Sequence, residues 1–497
     1  MLFYFIWLSV CFLLMIIIFY VNYAPKSNEP PGPISVPFLG VIPYIIYKSI
    51  LLKKKLNQKL IFQQLKKDYG EISKFYIGDQ RIILLSSFDI ISEAYVKNKF
   101  IFNGRPRIFG IDILSDDFKG LMLSEKKIWK ENRSTTVKSF HDLGVGRKEF
   151  NDLSVSNIES MCEWIRECQG KEFDVNRILF KTFLKIMNSL IFGHEPEETE
   201  SNIYDIYETI CFLAQTDFTE TQILWKYRSF SAVKKLFPMF EKYANKVSML
   251  HKYIKLKVQR KLKYLTEDPN EECLIKYYIN KQMENSEIFI CCVDLYLAGV
   301  DTVSSFVSAC LLLLGKHQHF QEKIKIEIEN LENTVNPITY EHKRFLPFTQ
   351  AFIEECHRYF AVIPAIERRP MEEVILKGYL IKPTDLIIAQ QYSIDYDSTL
   401  WENPNEFNPY RFIKEENGNF QPNSYLIPFG IGGRTCLGEV IGRNETFNSI
   451  VAIVSKFNVS LSMETSGNYD KILEGTSGGI LHSPLDHTLV FTENVEK

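Results

Sequence analysis

Residues 429–438 read Phe-Gly-Ile-Gly-Gly-Arg-Thr-Cys-Leu-Gly, and this stretch decides how the fold is interpreted. Its pattern is Phe-x-x-Gly-x-Arg-x-Cys-x-Gly, which this composition produces by chance with a probability on the order of 10⁻⁷ per starting position. Glycines allow a tight turn that aims backbone N–H groups at the sulfur of Cys436 and lowers the thiol pKa. Arg434 can donate a charge-assisted pair of hydrogen bonds to a carboxylate. The stretch predicts a thiolate ligand. An unreactive buried cysteine in a glycine-rich turn is the alternative.

This stretch resembles the cysteine-ligand loop of the cytochrome P-450 superfamily, the haem-thiolate monooxygenases, in their microsomal, membrane-anchored form. A second family motif is Glu355-x-x-Arg358, followed by Arg411 in the segment Pro-Tyr-Arg-Phe (409–412). The resemblance implies that these three charged residues form a buried structural cluster. Another Glu-x-x-Arg pair, Glu163 and Arg166, lacks that context, and we interpret it as a solvated pair on a helix surface.

The segment 298–302, Ala-Gly-Val-Asp-Thr, lies inside a long apolar helix predicted over about 284–315. A glycine there costs about 1 kcal/mol relative to alanine, and a buried aspartate is costly to desolvate. By resemblance, Asp301 and Thr302 are the catalytic acid–alcohol pair that delivers protons above the haem. The alternative is a helix kink in which Thr302 bonds back to a backbone carbonyl.

The resemblance also implies the cofactor, haem b (iron protoporphyrin IX), and the side chains that hold it. Trp129 and Arg133 stand four residues apart and share a helix face. The implied cofactor-binding residues are Trp129, Arg133, Arg368, Phe429, Arg434 and Cys436, with Cys436 as the axial ligand of the haem iron.

The N-terminus predicts a membrane anchor. Residues 2–21 carry no charge, and a helix of that length spans about 30 Å, the thickness of the hydrocarbon core. A cleaved signal peptide is the alternative, but no basic region precedes the apolar run. Lysines follow it, so the rest of the chain is expected in the cytosol, with single-pass anchoring in the endoplasmic reticulum membrane. The expected domains are a transmembrane anchor (1–23), a proline-rich hinge (24–40) that acts as a stiff spacer, and a haem-thiolate catalytic domain (41–497).

The fold class is expected to be mainly α (α+β). The resemblance implies the cytochrome P-450 fold, with one large helical haem domain and a small β-rich side after the transmembrane helix. A hairpin is predicted at 75–85 around Gly78-Asp79, and a strand at 381–391. The apolar helix at 284–315 is assigned to the core rather than to a second membrane span because acidic residues recur through it.

Composition removes several other classes of protein. The net charge of −3, from 58 basic and 61 acidic residues, gives no whole-chain reason to expect nucleic-acid binding. The ten cysteines include no Cys-x-x-Cys pair, which argues against zinc ribbons and cysteine-ligated iron–sulfur clusters. No flavin or nicotinamide module is evident. The expected electron donor is therefore a separate NADPH-dependent cytochrome reductase, with cytochrome b5 as a second candidate.

The expected reaction inserts one oxygen atom from O2 into an apolar small molecule. The alternatives are a haem-thiolate isomerase or dehydratase that needs no O2, and a haem-based gas-binding protein. The intact cysteine loop and the acid–alcohol pair favour the monooxygenase. Four lysines near Trp129 predict a reductase-docking surface, with a solvated basic face as the alternative; they are Lys126, Lys127, Lys130 and Lys138.

Overall fold

The computed structural model describes residues 28–36, 39–53, 56–78, 80–107, 111–194, 199–216, 238–476 and 479–494, together with Trp7. Within these residues the chain is mainly helical and carries small β-sheets, as the sequence predicts. The expected transmembrane anchor, residues 1–23, lies outside the described residues apart from Trp7.

Most of the described α-helices contribute to one large hydrophobic core, and those at 42–52, 58–69 and 88–92 belong to two smaller clusters with the first sheet. In chain order the described helices are α1 (Ile42–Leu52), α2 (Gln58–Tyr69), α3 (Phe88–Ser92), α4 (Ile111–Leu114), α5 (Lys126–Asp142), α6 (Lys148–Glu167), α7 (Val175–Phe192), α8 (Glu200–Gln215), α9 (Met239–Glu267), α10 (Leu274–Asn280), α11 (Asn285–Gly299), α12 (Asp301–Lys316), α13 (Gln318–Glu332), α14 (Pro347–Tyr359), α15 (Gln391–Asp395), α16 (Glu439–Lys456), α17 (Met463–Gly467) and α18 (Tyr469–Glu474).

The described strands form three small sheets. They are β1 (Ile72–Ile77), β2 (Gln80–Leu85), β3 (Phe173–Asp174), β4 (Ala365–Arg368), β5 (Val374–Leu376), β6 (Tyr379–Ile381), β7 (Leu386–Gln390), β8 (Phe457–Leu461) and β9 (Thr488–Glu493). The sheet orders are β1-β2-β7-β4, β3-β9-β8 and β5-β6.

Both predicted β regions are present, one of them in altered form. The hairpin is confirmed, because β1 and β2 pair antiparallel with Phe75 opposite Ile82. The single strand predicted at 381–391 is instead the end of β6, a turn and then β7. In that turn the Asp385 carboxylate accepts the Lys382 N–H at 2.6 Å and also binds Arg81, so the backbone reverses where the sequence pattern looks continuous.

The long apolar helix passes through the core, as expected, but is not continuous. It consists of α11 and α12, which are separated at Val300 (φ −96°, ψ −60°). Among the described residues it is the one helix long and apolar enough to cross a membrane, and 78% of its most apolar window is buried inside the protein. This burial supports the core assignment. The break at Val300 follows Gly299, a weak helix former.

The described part of the proline-rich segment lies against the first sheet. Glu29 pairs with Lys74 at 2.6 Å and with Arg81 at 2.9 Å, and all three side chains are buried. A Cβ on Gly32 would lie 1.8 Å from the Lys74 carbonyl oxygen, so glycine permits this close approach. The chain from Asn28 onward is therefore attached to the catalytic body, whereas the sequence suggested a spacer as far as residue 40.

Candidate active site

The cysteine loop joins a short 3-10 turn, Gly432–Arg434, to the start of α16. The Cys436 N–H donates to the Phe429 carbonyl at 2.8 Å, which closes the loop. Gly432 has a φ of +81°, and a Cβ there would lie 1.8 Å from the carbonyl oxygen of Tyr95. Because any larger residue would collide with that backbone, the glycine fixes the approach of the loop to the rest of the protein.

The Cys436 side chain is exposed to a cavity although protein surrounds it. Burial raises the pKa of its thiol, while the Gly438 N–H lowers it; the charge on Glu439 raises it and that on Arg133 lowers it. The N-terminus of α16 also lies beside the sulfur, where its dipole favours negative charge. The net effect raises the pKa of the Cys436 thiol, contrary to the lowering expected from the sequence, because burial outweighs the contacts that favour the thiolate.

The cavity has a volume of about 1080 Å³ and two chemically different walls. The cysteine wall comprises Trp129, Arg133, Arg368, Phe429, Arg434 and Cys436. The helix wall comprises Ala298, Gly299, Thr302, Val303 and Phe306. Small-molecule sites usually measure about 300–1,000 Å³, so this cavity has room for a large cofactor and an apolar molecule beside it.

Arginines hold the cysteine loop by its backbone. Arg133 Nη2 donates to the Thr435 carbonyl at 2.9 Å, and Arg368 Nη2 donates to the Arg434 carbonyl at 3.1 Å. The Arg434 guanidinium lies 3.9 Å from the centre of the Trp129 ring, a favourable cation–π contact. The structure therefore brings together at this wall all six side chains that the sequence analysis assigned to cofactor binding.

The helix wall contains the predicted alcohol but not the predicted acid. Thr302 lines the cavity, and its Oγ1 donates to the Ala298 carbonyl at 2.5 Å, the back-bond that the kink alternative predicts. Asp301 is buried and is not among the described residues that line the cavity. Its Oδ1 accepts a hydrogen bond from Cys211 Sγ at 3.6 Å. Burial raises the pKa of Asp301 to about 6, while Cys211 and Ser305 lower it.

Glu355, Arg358 and Arg411 form one ionic cluster behind the cysteine wall. Arg358 and Glu355 are fully buried and 2.7 Å apart, and Arg411 Nε lies 3.3 Å from the same carboxylate. Arg358 also donates to the carbonyls of Asp395 and Pro404, both at 2.8 Å, and so ties α14 to the chain that leads into the cysteine loop.

The second Glu-x-x-Arg motif differs from this cluster. Arg166 is exposed, as expected for a solvated pair, but its carboxylate partner is Glu493 of β9 rather than Glu163. The prediction that Glu163 and Arg166 form a pair on one helix is therefore wrong. The Arg166 guanidinium pairs instead with a carboxylate from a strand that is distant in the sequence.

Two functional candidates were missed in the sequence. Arg105 lines the cavity near Arg368 and Arg434, but no motif marks it because a loop brings it there. Asp294 also lines the cavity, and its Oδ2 accepts the N–H groups of Leu121 and Met122 at 2.6 and 2.8 Å. Burial raises the pKa of Asp294 to about 7. Its acidic residue type inside an apolar helix was the available signal.

The residues of the cysteine wall fit an iron macrocycle that carries acidic side chains. Burial, followed by repulsion from Arg368, lowers the pKa of both Arg105 and Arg434, that of Arg434 to about 9. Within the described residues, Nη1 of Arg434 is buried and has no hydrogen-bond partner. The clustered guanidiniums of Arg105, Arg368 and Arg434, with the unpartnered Nη1 of Arg434, suit an anionic ligand. The sulfur of Cys436 on the same wall suits the role of an axial ligand of iron. Haem satisfies both requirements.

Comparison with known proteins agrees with this geometry. A family model described as Cytochrome P450 matches residues 30–488. Cytochrome P450 2C7 of Rattus norvegicus is 26% identical over 446 residues, covering 87% of this chain and 88% of the relative. Cytochrome P450 2A5 of Mus musculus is 26% identical over 450 residues, with 87% of each chain covered. Cytochrome P450 2A2 of Rattus norvegicus is 28% identical over 456 residues, covering 88% of this chain and 89% of the relative. The chain therefore belongs to the cytochrome P450 family of haem-thiolate monooxygenases.

Proposed function

We propose that this protein inserts one oxygen atom from O2 into an apolar small molecule, with haem b in the cavity and electrons from a separate NADPH-dependent reductase. One observation carries the proposal: a cavity of about 1080 Å³ has a cysteine sulfur and clustered arginines on one wall and apolar side chains on the other. Bound there, the haem iron supplies the activation of dioxygen.

The cysteine wall holds the cofactor. Cys436 is the axial ligand, and its thiolate is supported by the Gly438 N–H. Arg133, Arg368 and Arg434 would bind the acidic side chains of the macrocycle, and the free Nη1 of Arg434 would be available for one of them. Trp129 keeps the Arg434 guanidinium in place through their ring contact, and Phe429 supplies apolar surface beside the cysteine.

The helix wall selects the substrate and handles protons. Ala298, Val303 and Phe306 give it an apolar surface, which supports an apolar substrate because polar groups would lose their hydration there. Thr302 presents a hydroxyl at this wall, and the neighbouring Asp301, which faces away from the cavity, can bind and release a proton near neutral pH because burial raises the pKa of its carboxyl to about 6. These two residues deliver protons to the reacting oxygen.

The electron donor docks on α5. Lys126, Lys127, Lys130 and Lys138 are exposed on this helix, whose inner face carries Arg133 to the cysteine loop. A reductase with an acidic surface fits this patch, with cytochrome b5 as a second candidate partner.

The protein is proposed to sit in the endoplasmic reticulum membrane as a single-pass protein with its catalytic domain in the cytosol. The anchor is residues 1–23 and the catalytic domain is residues 41–497; within the segment between them (24–40), the chain from Asn28 onward packs on the catalytic domain. Lysines after the apolar segment support this orientation. The exposed apolar side chains of α1, among them Ile46, Ile50 and Leu51, support a further contact with lipid.

Spectroscopy of the purified full-length chain tests the proposal. The reduced protein with carbon monoxide should show the strongly red-shifted Soret band of a thiolate-ligated haem. Lipid and terpenoid pools should contain compounds that change the spin state of the ferric protein, because an apolar molecule that enters the cavity alters the surroundings of the iron. A protein that binds no haem, or whose spin state responds to no apolar compound, would contradict the proposal.

A further inference from the structure

Arg105 differs from the other arginines of the cavity in how it is held. Arg368 Nη2 donates to the Arg434 carbonyl at 3.1 Å, and Arg434 Nη2 donates to the Ser124 carbonyl at 2.7 Å, so contacts of these two side chains fix their guanidiniums. Arg105 also lines the cavity, but its Nε is buried without a hydrogen-bond partner among the described residues. The hydrogen bonds found for Arg105 in this part of the chain are those of its backbone.

Glu125 and Arg369 form an ion pair that binds both polar groups of the Arg105 backbone. Glu125 Oε1 accepts the Arg105 N–H at 2.6 Å, and Arg369 Nε donates to the Arg105 carbonyl at 3.1 Å. The two side chains also bind each other, because Arg369 Nη2 lies 2.8 Å from each oxygen of the Glu125 carboxylate. They are 9% and 20% exposed, so water competes little for these bonds.

The chain on either side of Arg105 is held by the same pair. Gly104 and Arg369 exchange two backbone hydrogen bonds of 3.0 Å, which place the chain before Arg105 beside the end of β4. A Cβ on Gly104 would lie 2.6 Å from the Arg369 carbonyl oxygen, so glycine permits this approach. On the other side, the exposed guanidinium of Arg107 lies 3.4 Å from Glu125. The segment 104–107 is thus fastened to Glu125 and Arg369 over its whole length.

The orientation of Glu125 is not explained by its own helix. Glu125 is the residue immediately before α5, where a side-chain oxygen commonly accepts an N–H of the first helical turn, but it makes no such bond. Burial raises the pKa of its carboxyl, while the Arg105 N–H and then Arg369 lower it, with a net lowering. The carboxylate therefore stays charged and is directed at the segment that carries Arg105.

We propose that Glu125 and Arg369 act as a clamp that positions Arg105 to bind an acidic side chain of the haem. Neither residue of the clamp is among the described residues that line the cavity, so both act through the Arg105 backbone. Glu125 and Arg369 are positioning residues, and the free Nε of Arg105 is the group that they aim. The proposal rests on the proposed function, since it states how this chain holds the haem.

The rate of haem loss tests the clamp without a known substrate. Purified ferric holoprotein is mixed with an excess of apomyoglobin, and the transfer of haem is followed by absorbance. Arg105→Met should raise the rate of haem loss by about tenfold, as expected for the loss of one hydrogen bond to a charged group. Glu125→Ala and Arg369→Met should each approach the same rate, because each releases Arg105. A wild-type rate in Arg105→Met or in Glu125→Ala would overturn the clamp.

A double variant separates positioning from a general loss of stability. If the clamp acts through Arg105, Glu125→Ala has nothing left to release once Arg105 is replaced. Arg105→Met with Glu125→Ala should therefore lose haem no faster than Arg105→Met alone. Rates that rise by the product of the two single effects would show that Glu125 supports the protein independently of Arg105, and the clamp would be wrong.

Matched variants control for the change in charge. Glu131→Gln removes a carboxylate from α5 where the side chain is 62% exposed, and it should keep the wild-type rate. Glu125→Gln keeps an oxygen for the Arg105 N–H but loses the charge that attracts Arg369, so its rate should lie between those of wild type and Glu125→Ala. If Glu125→Ala does not load haem, Glu125→Gln replaces it in every comparison. Equal acceleration in Glu131→Gln and Glu125→Ala would attribute the effect to net charge and overturn the clamp.

The midpoint potential of the haem gives a second readout. The Glu125 charge acts on the haem directly whether or not Arg105 is present, whereas release of Arg105 withdraws a positive charge that favours the reduced form. Glu125→Ala should therefore shift the potential further in the negative direction in the wild-type chain than in the Arg105→Met chain. Equal shifts in the two chains would overturn the clamp. A wild-type chain that binds no haem would instead contradict the proposed function itself.

Discussion

The two walls of the cavity are built in different ways. The cysteine wall is fixed by backbone contacts: Arg133 and Arg368 hold two carbonyls of the loop, and Gly432 packs against the carbonyl of Tyr95. The helix wall presents side chains from a helix interrupted at Val300, and Thr302 bonds to its own backbone. Changes to the cysteine wall should therefore disturb the cofactor site itself. Changes to the helix wall should alter the reaction while the site stays assembled.

Replacing the sulfur should have the largest effect on the cysteine wall. Cys436→His should abolish the red-shifted carbon monoxide band, because imidazole nitrogen donates less charge to iron than thiolate does. Any haem retained should give a histidine-type spectrum. Cys211→Ser changes a cysteine that contacts Asp301 outside the cavity lining; it serves as the control and should keep the thiolate band. A wild-type spectrum in Cys436→His would remove Cys436 as the ligand.

The ionic cluster behind this wall should give the next largest effect. Arg358→Met removes the closer of the two guanidinium partners of the buried Glu355 carboxylate and leaves only Arg411 at 3.3 Å, and breaking a buried ion pair costs about 3–5 kcal/mol of stability. Chemical unfolding monitored by circular dichroism measures the loss. Arg166→Met breaks an exposed pair and should shift the unfolding midpoint little. Equal midpoints for the two variants would contradict the assignment of the Glu355 cluster as structural.

A change on the helix wall should leave the cofactor untouched. Thr302→Ala should retain haem and the carbon monoxide band. The amount of oxygenated product formed per NADPH consumed should fall by roughly tenfold or more, and the amount of hydrogen peroxide should rise. Thr302→Ser keeps the hydroxyl and should remain coupled. Unchanged coupling in Thr302→Ala would favour a purely structural role, in which the bond to Ala298 only shapes the helix.

The smallest effect is expected at the surface behind the cysteine wall. Lys127→Glu with Lys130→Glu should slow reduction of the haem by about tenfold at low ionic strength and flatten its salt dependence, with substrate binding unchanged. The control is Lys255→Glu with Lys263→Glu on α9, which changes the net charge by the same amount. The haem of this control should be reduced at the wild-type rate. Stopped-flow reduction by the reductase compares them. Equal rates for the two double variants would show that α5 is not the docking site.

The structural features that could be predicted from the sequence are those formed by residues close together in the chain. The β1–β2 hairpin follows from strand patterns on either side of Gly78, and the cysteine loop follows from five positions within ten residues. The family model matches residues 30–488, so the motifs that suggested the resemblance extend across most of the chain.

The parts that escaped prediction depend on distant contacts. Arg105 joins the arginine cluster only because a loop passes near Arg368. Asp301 and Thr302 are neighbours in the sequence, yet successive helix positions differ by about 100° in direction, so one faces Cys211 and the other the cavity. Residue spacing marked both as special but could not show that they face different surroundings.

Because the chain packs on the catalytic domain from Asn28 onward, the linker to the proposed anchor is short. If the whole segment 24–40 were slack, it could extend about 60 Å. Because Glu29 is held by Lys74 and Arg81, only residues 24–27 remain between the apolar segment and the body. Four residues reach about 14 Å at full extension. If residues 1–23 span the bilayer as proposed, so short a tether prevents free rotation of the catalytic domain above the membrane and keeps the edge that carries β1 and β2 next to the lipid headgroups.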